Sequence, residues 1–286
     1  MILGANGQDG HYLSELLKQE KFEVVCLGRP LQQGDFDVRD FGSVSAAIQR
    51  HKPSFLFHLA ANSTTRHDAM FENHATICTG TVNLLESVRL YSPDTRVFIS
   101  GSGLQFRNDG RPIDEQTPFE ARDPYSVSRI HSVYAARYFR TLGIKAYVGY
   151  FFNHDSPLRS DRHVSRKITD AVNRIAGGSK EILEIGNVEV VKEWGFAGDI
   201  VRAMWTLVNN DVEFEAVLGT GEGHSIREWL QLCFDKVGLR WQDHVKIKEN
   251  FKAEYFSLVS DPALIRSMGW KPSISFEQLA EMMMKA

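Results

Sequence analysis

The chain has 286 residues, 43% of them hydrophobic and 24% charged, with a formal net charge of −3. This is the composition of an ordinary soluble globular protein, long enough for one large core or two coupled ones. The charge balance gives no electrostatic ground for a nucleic-acid or anionic-membrane partner, and no apolar run approaches the roughly 20 residues of a membrane helix.

The opening residues, "MILGANG", read as strand and turn and not as a signal peptide. Cys26, Cys78 and Cys233 are widely spaced in apolar surroundings, as expected of reduced, buried thiols in a cytoplasmic protein. No spacing of ligand-type residues predicts a metal site. Apolar strand-like runs then alternate with amphipathic helical ones. "MIL" precedes "HYLSELLKQEK" and "EVVCLG"; "VSAAIQRH" leads to "SFLFHLAA", "TGTVNLLESVRLY" to "RVFISGS", and "SRIHSVYAARYFRTLG" to "KAYVGYFF". Repeated βα units of this kind predict an α/β protein with a Rossmann-like, doubly wound parallel sheet, its strands buried on both faces.

Beyond about residue 153 the alternation loosens into a basic helical stretch, "RSDRHVSRKITDAVNRIAGG", and the amphipathic helices "IREWLQLCFDKVG" and "SFEQLAEMMMK". "AVLGTG" (216–221) reads as one more strand of the first unit. The expected organisation is a dinucleotide-binding domain over 1–152, joined by a later contribution from about 195–222, and a smaller, interleaved C-terminal substrate lobe over 153–286.

"GANGQDG" puts Gly4, Gly7 and Gly10 directly after the first strand, with Gln8 and Asp9 opening the helix. Glycines there let the backbone turn sharply and approach a pyrophosphate, which sits on free N–H groups at the helix N-terminus. The second strand ends in Gly28-Arg29 with no carboxylate at its tip. A basic residue there suits a ribose 2′-phosphate, so NADP is favoured over NAD. Asp37 and Val38 are placed to reach the adenine, and Leu59, Ala60 and Ala61, closing the strand "SFLFHLAA", let backbone approach the cofactor.

"DPYSVSR" (123–129) sets Tyr125 and Arg129 one helical turn apart, on one face. Read in order, "GANGQDG", "LAANS", "PYSVSR" and "FNHDSP" resemble the extended short-chain dehydrogenase/reductases that act on nucleotide sugars, and among these the GDP-mannose 4,6-dehydratases. The specific part is "YFFNHDSPLRSDRHVSRKITDAV" followed by "IGNVEVVKEWGFAGDIVRAMW", which follows that family's "FNHESP", "TRKI" and "RDWGHAKDYVEAMW".

The resemblance implies a two-lobed enzyme binding NADP in one lobe and a GDP-linked sugar between the two. It implies that Tyr125 takes the proton of the sugar 4-hydroxyl with the cation of Arg129 beside it, that Tyr125 and Arg129 also contact the cofactor, Arg129 at the nicotinamide ribose, and that Phe152 and His154 lie at the cofactor. Asn153, Val164 and Lys167 match family positions that contact the substrate, and Arg166 is the arginine of the same motif. Lys192 stands where the family carries a pyrophosphate-binding arginine, and Glu254 matches a glutamate reaching the nucleoside ribose. The companion arginine of that glutamate falls on Phe251, next to Lys252.

Three positions depart from the family's pattern. Its catalytic lysine is Arg129, which keeps the charge but exchanges a point cation for a planar fork. Its "STSELYG" aligns with "SGSGLQF", so the threonine is Gly101 and the glutamate is Gly103. Ser102 is the candidate for the missing hydroxyl, whereas Glu115 and Asp109 are weak candidates for the missing carboxylate. The resemblance thus implies a GDP-sugar 4,6-dehydratase with a remodelled site. A 4-ketoreductase or epimerase, which needs no base at C5, and a catalytically silent nucleotide-binding homologue stay open beside it. The family's long arginine-rich loop after the second strand is reduced to "RPLQQG", so a homodimer is expected in place of a tetramer.

Overall fold

The structure, a computed structural model, describes residues 1–28 and 36–285. Strands and helices alternate through its first half: β1 (Ile2–Leu3), α1 (Gln8–Gln19), β2 (Cys26–Leu27), α2 (Phe41–His51), β3 (Phe55–His58), α3 (Met70–Asn73), α4 (Gly80–Tyr91), β4 (Arg96–Ser102), α5 (Pro124–Thr141) and β5 (Ala146–Phe151). The second half runs β6 (His154–Asp155), α6 (Val164–Ala176), β7 (Leu183–Ile185), β8 (Val191–Glu193), β9 (Gly195–Phe196), α7 (Ala197–Val208) and β10 (Glu215–Leu218). It ends with β11 (Gly223–Ser225), α8 (Ile226–Asp235), β12 (Val245–Ile247), β13 (Ser257–Leu258), α9 (Ala263–Ser267) and α10 (Phe276–Met284).

Among the described residues, six strands form one parallel sheet in the order β10-β5-β4-β3-β1-β2. The strand order reverses between β1 and β3, and in open α/β sheets that switch point opens a crevice at the carboxyl ends of the strands. Both faces are covered, as the near-continuous apolar strands predict. Along β4, Val97 and Ile99 enter a core with Leu84, Val88, Val133 and Ala136 of α4 and α5, whereas Phe98 enters the opposite one with Leu13, Leu17, Ile200 and Met204 of α1 and α7.

A third core gathers Ile168 and Val172 of α6, Trp229 and Leu230 of α8, and Leu279 and Met283 of α10. Trp194 and Trp229 stack at its centre, ring centroids 4.4 Å apart. Glu193, at the end of β8, is fully buried and joins the parts. Its carboxylate accepts main-chain N–H bonds from Thr220 (2.5 Å) and Gly221 (3.2 Å), just past β10, and from Ser260 (2.6 Å), just before α9.

Candidate functional site

The crevice at the switch point is built by glycines. Gly4 leaves β1 at φ +87°, where a Cβ would also lie 2.7 Å from Ala60 N, so only glycine fits against the end of β3. At Gly10 a Cβ would lie 2.5 Å from Ala5, which is how α1 packs down on its own turn. Gly7 caps α1 without any side-chain hydrogen bond, leaving the first N–H groups of the helix to a ligand. A cavity of about 260 Å³ opens there, between Gly4, Gly7, Leu59, Ala60 and Ala61 at one end and Gly28, Asp37 and Val38 at the other. Arg29 lies outside the described residues.

Arg39 and Thr76 are among the lining residues that no sequence motif marks. Arg39 grips Asp37 with both ends of its guanidinium, at 2.9 and 2.6 Å, so a cation stands at the far end of the cavity beside the carboxylate. Thr76, in the π-helical turn His74–Thr79 between α3 and α4, has a buried hydroxyl with no partner among the described residues. Native structures rarely leave such groups unpaired, so this hydroxyl fits a polar ligand in the cavity. By contrast the side chains of Gln8 and Asp9 turn to the protein. Gln8 donates to His154 O (3.2 Å) and accepts from Ser156 Oγ (2.9 Å), and Asp9 meets His154 Nε2 at 2.9 Å.

α5 starts sharply. Asp123 caps it by accepting from the N–H groups of Tyr125 (2.8 Å) and Ser126 (2.9 Å), and Pro124 takes the first helical position. Tyr125 and Arg129 are 8% and 4% exposed, and the guanidinium carbon lies 5.0 Å from the tyrosine ring centroid. The Tyr125 hydroxyl makes no hydrogen bond to any described residue. Arg129 is anchored to β4, donating through Nη1 to Ser100 O (2.5 Å) and Ser100 Oγ (2.8 Å). Ser100 Oγ in turn donates to His58 O at 3.0 Å. Burial, and then the nearby Arg129 charge, push the His58 ring down to about 4, so it is neutral.

The loop after β4 is closed by aromatic rings. A Cβ on Gly101 would lie 2.6 Å from Tyr150 Cδ1, and one on Gly103 would lie 3.0 Å from the Phe152 ring. Phe152, expected at the cofactor, therefore turns its ring against Gly103. Ser102 caps the following turn, its Oγ accepting from Leu104 N (3.2 Å) while Gln105 Oε1 accepts from Ser102 N (2.9 Å). That leaves the Ser102 O–H to donate elsewhere. Glu115 accepts from Val217 N (2.8 Å) and Asp109 pairs with Arg111, so both weak acid candidates are engaged structurally.

A second cavity of about 250 Å³ is lined by Gly103, Thr65, Arg122, Asp123, Glu254 and Tyr255, among others. Thr65 donates to Glu254 at 2.5 Å across it. Asn153 accepts from Tyr255 OH at 3.3 Å. Lys192 is buried with its Nζ 4.1 Å from the Trp194 ring centroid, near Asp155 and Arg159. Burial lowers the Lys192 pKa, and Asp155 works against that fall. Val164 opens α6 and packs on the third core. Arg166 pairs with Asp170 (2.8 Å) and Lys167 reaches Glu184 O (3.1 Å), and neither lines either cavity. Phe251, in the companion-arginine position, lies against Gly186.

A family model described as GDP-mannose 4,6 dehydratase matches residues 30–283. GDP-mannose 4,6 dehydratase 1 of Arabidopsis thaliana is 33% identical over 318 residues, covering 99% of this chain and 88% of that protein. GDP-mannose 4,6-dehydratase of Vibrio cholerae is 28% identical, covering 100% of this chain and 92% of that protein. In structure the chain is similar to RMD from Pseudomonas aeruginosa, solved with NADPH (TM-score 0.85, 21% identity, 99% of this chain and 95% of that one). It is likewise similar to UDP-glucose 4-epimerase from Thermotoga maritima, solved with UDP-glucose (TM-score 0.88, 19% identity, 99% and 96%). These structures share the Rossmann-like α/β fold. With the dehydratase family model and relatives matched along nearly the whole chain, this protein belongs to the GDP-mannose 4,6-dehydratase family, a family of lyases.

Proposed function

We propose that the chain binds a nicotinamide dinucleotide, NADP in preference to NAD, together with a GDP-linked sugar, and oxidises the sugar at C4 ahead of water loss across C5 and C6. The observation that carries this reading is Tyr125. It stands in the first turn of α5, two residues after Asp123 of the second cavity, its hydroxyl claimed by no described residue and Arg129 behind its ring. The glycine-built crevice, the uncapped start of α1 and the unpartnered Thr76 hydroxyl suit a dinucleotide. Arg39 in the same cavity, and the absence of a carboxylate after β2 up to Gly28, support a 2′-phosphate.

When bound, the nicotinamide supplies hydride acceptance and return. Tyr125 exchanges the proton of the sugar 4-hydroxyl, and Ser102, with its own O–H unspent, orients that hydroxyl. Arg129 keeps a permanent positive charge behind the tyrosine, fixed in place by Ser100. Lys192 offers its ammonium to the diphosphate, Asn153 holds the sugar, and Glu254 takes the nucleoside ribose.

A second reading, a 4-ketoreductase or 4-epimerase, is favoured by one observation: Phe152 packs where a carboxylate at residue 103 would begin. Incubation with NADP and GDP-mannose separates the readings. A product lighter by one water, with no net NADPH consumption, supports dehydration. NADPH consumption with a GDP-4-keto sugar supports reduction. Binding of both ligands without turnover leaves a silent homologue.

On the same reading, residues 1–152 with 195–222 hold the cofactor and the rest of 153–286 the sugar nucleotide, in a cytoplasmic homodimer. Val82 and Leu90 of α4 and Val127, Tyr134 and Tyr138 of α5 are large apolar residues left exposed, and they suit a two-fold interface. No helix among the described residues is long and apolar enough to cross a membrane.

A further inference from the structure

His154 follows β5 with 6% of its surface exposed. Its Nδ1 lies 2.7 Å from the main-chain oxygen of Phe152, and its Nε2 lies 2.9 Å from Asp9 Oδ1. A carbonyl and a carboxylate only accept hydrogen bonds, so both ring nitrogens must donate, and a ring with two N–H groups is an imidazolium. The other charges near it are Arg159 and Asp155, which pair with each other at 3.0 Å. The Phe151 ring meets it edge-on, centroids 5.4 Å apart. Gly195 of β9 lies beside its Cβ and contributes no charge. Burial works against the charged ring, but Asp9 outweighs it and holds the His154 pKa above its ordinary value. The Asp9 carboxyl, raised by burial, is brought below its ordinary value by the same pair.

Asp9 sits in the first turn of α1, the end that Gly7 leaves open to the cavity. A lone carboxylate there would take up the favourable field of the helix N-terminus and repel a phosphate. We propose that His154 is a positioning residue for the cofactor: it cancels the charge of Asp9, so that the phosphate loop presents a neutral pair to the dinucleotide. This inference rests on the reading that the crevice takes NADP. When His154 loses a proton, Asp9 loses its hydrogen-bonded cation and keeps only the Gln8 contact and the Arg159 charge that Asp155 shares, and one of the two ring contacts becomes lone pair against lone pair. Cofactor affinity therefore falls as pH rises.

The test is NADPH binding to the full-length protein between about pH 6 and pH 9, followed by cofactor fluorescence. The expected Kd is flat at low pH and rises about tenfold toward pH 9, the scale of one partly screened charge interaction. Asp9→Asn removes the rise and binds at high pH as tightly as the unaltered protein does at low pH. His154→Gln binds weakly throughout, and Asp9→Asn with His154→Gln restores tight, pH-independent binding. Thermal melts without cofactor show which variants fold, and if His154→Gln does not, Asp9→Asn alone decides. A flat profile in the unaltered protein, or an unchanged rise in Asp9→Asn, overturns the proposal while NADPH binding itself upholds the dinucleotide reading. No NADPH binding at any pH overturns both.

Discussion

Tyr150 on β5 occupies, from the neighbouring strand, the space that any side chain at Gly101 on β4 would need. The two residues are directly paired, and the Tyr150 hydroxyl is held 2.5 Å from Glu215 Oε2, so its ring is not free to swing aside. Gly101→Thr, which rewrites the family's hydroxyl, is therefore expected to cost about 1–3 kcal/mol by overpacking. Adding Tyr150→Val to Gly101→Thr should recover part of that loss in chemical denaturation. Full stability of the single variant would show that the ring yields.

Gly103→Glu meets a softer obstacle, since its Cβ would lie 3.0 Å from the nearest atoms, those of the Phe152 ring. A loss below about 1.5 kcal/mol is expected. With a carboxylate restored beside the second cavity, the yield of the product lacking one water should rise in mass spectrometry. An unchanged yield would place the obstacle to dehydration elsewhere in the site.

Glu254 now accepts from Thr65, and a nucleoside ribose would displace that contact. Glu254→Gln should raise KM for the GDP-sugar by about 5- to 150-fold, the roughly 1–3 kcal/mol scale of a charged hydrogen bond, and leave kcat nearly unchanged. A collapse of kcat at constant KM would instead make Glu254 a participant in proton transfer.

His58 makes stability depend on pH. Its folded pKa, about 4, lies below the ordinary 6.5, so the unfolded chain takes up a proton before the folded one does. Its contribution is whole above pH 6.5 and is lost as pH falls toward 4, about 2 kcal/mol of it by pH 5. The ring lies close to the Thr76 main chain, and His58→Leu removes the titrating group from that place. Urea titrations at pH 7.5 and pH 5 should show a smaller acid loss in His58→Leu. Equal losses would assign the effect to other groups.

The exposed faces of α4 and α5 predict the assembly state. Light scattering should give a dimer, and Tyr134→Glu with Tyr138→Glu, on residues 58% and 59% exposed, should give a folded monomer. A tetramer would contradict this.

Much of the site was legible because its signals are local. The glycine spacing of "GANGQDG" dictates a turn and an uncapped helix start, and "DPYSVSR" contains its own cap, proline, tyrosine and cation. What escaped the sequence reading is decided by partners far apart in the chain. Gln8 and Asp9 read as cofactor contacts from their place in the loop, yet their side chains are taken by residues near 154. The resemblance turns Arg129 toward the nicotinamide ribose, whereas its guanidinium is anchored to Ser100. That Gly101 and Gly103 are filled positions and not vacancies depends on Tyr150 and Phe152, and so on strand register and on the path of the chain past β5.

Glu193 has a consequence for the order in which the molecule is made. Its carboxylate is buried at the seam between β10, an edge strand of the sheet, and residue 260, which is synthesised some forty residues after Thr220. Until that segment arrives, the Glu193 carboxylate waits at the seam without the two bonds from Ser260. Completion of the sheet edge is thereby tied to synthesis of the segment around Ser260, and a nascent chain ending before it should remain open to proteolysis at β10.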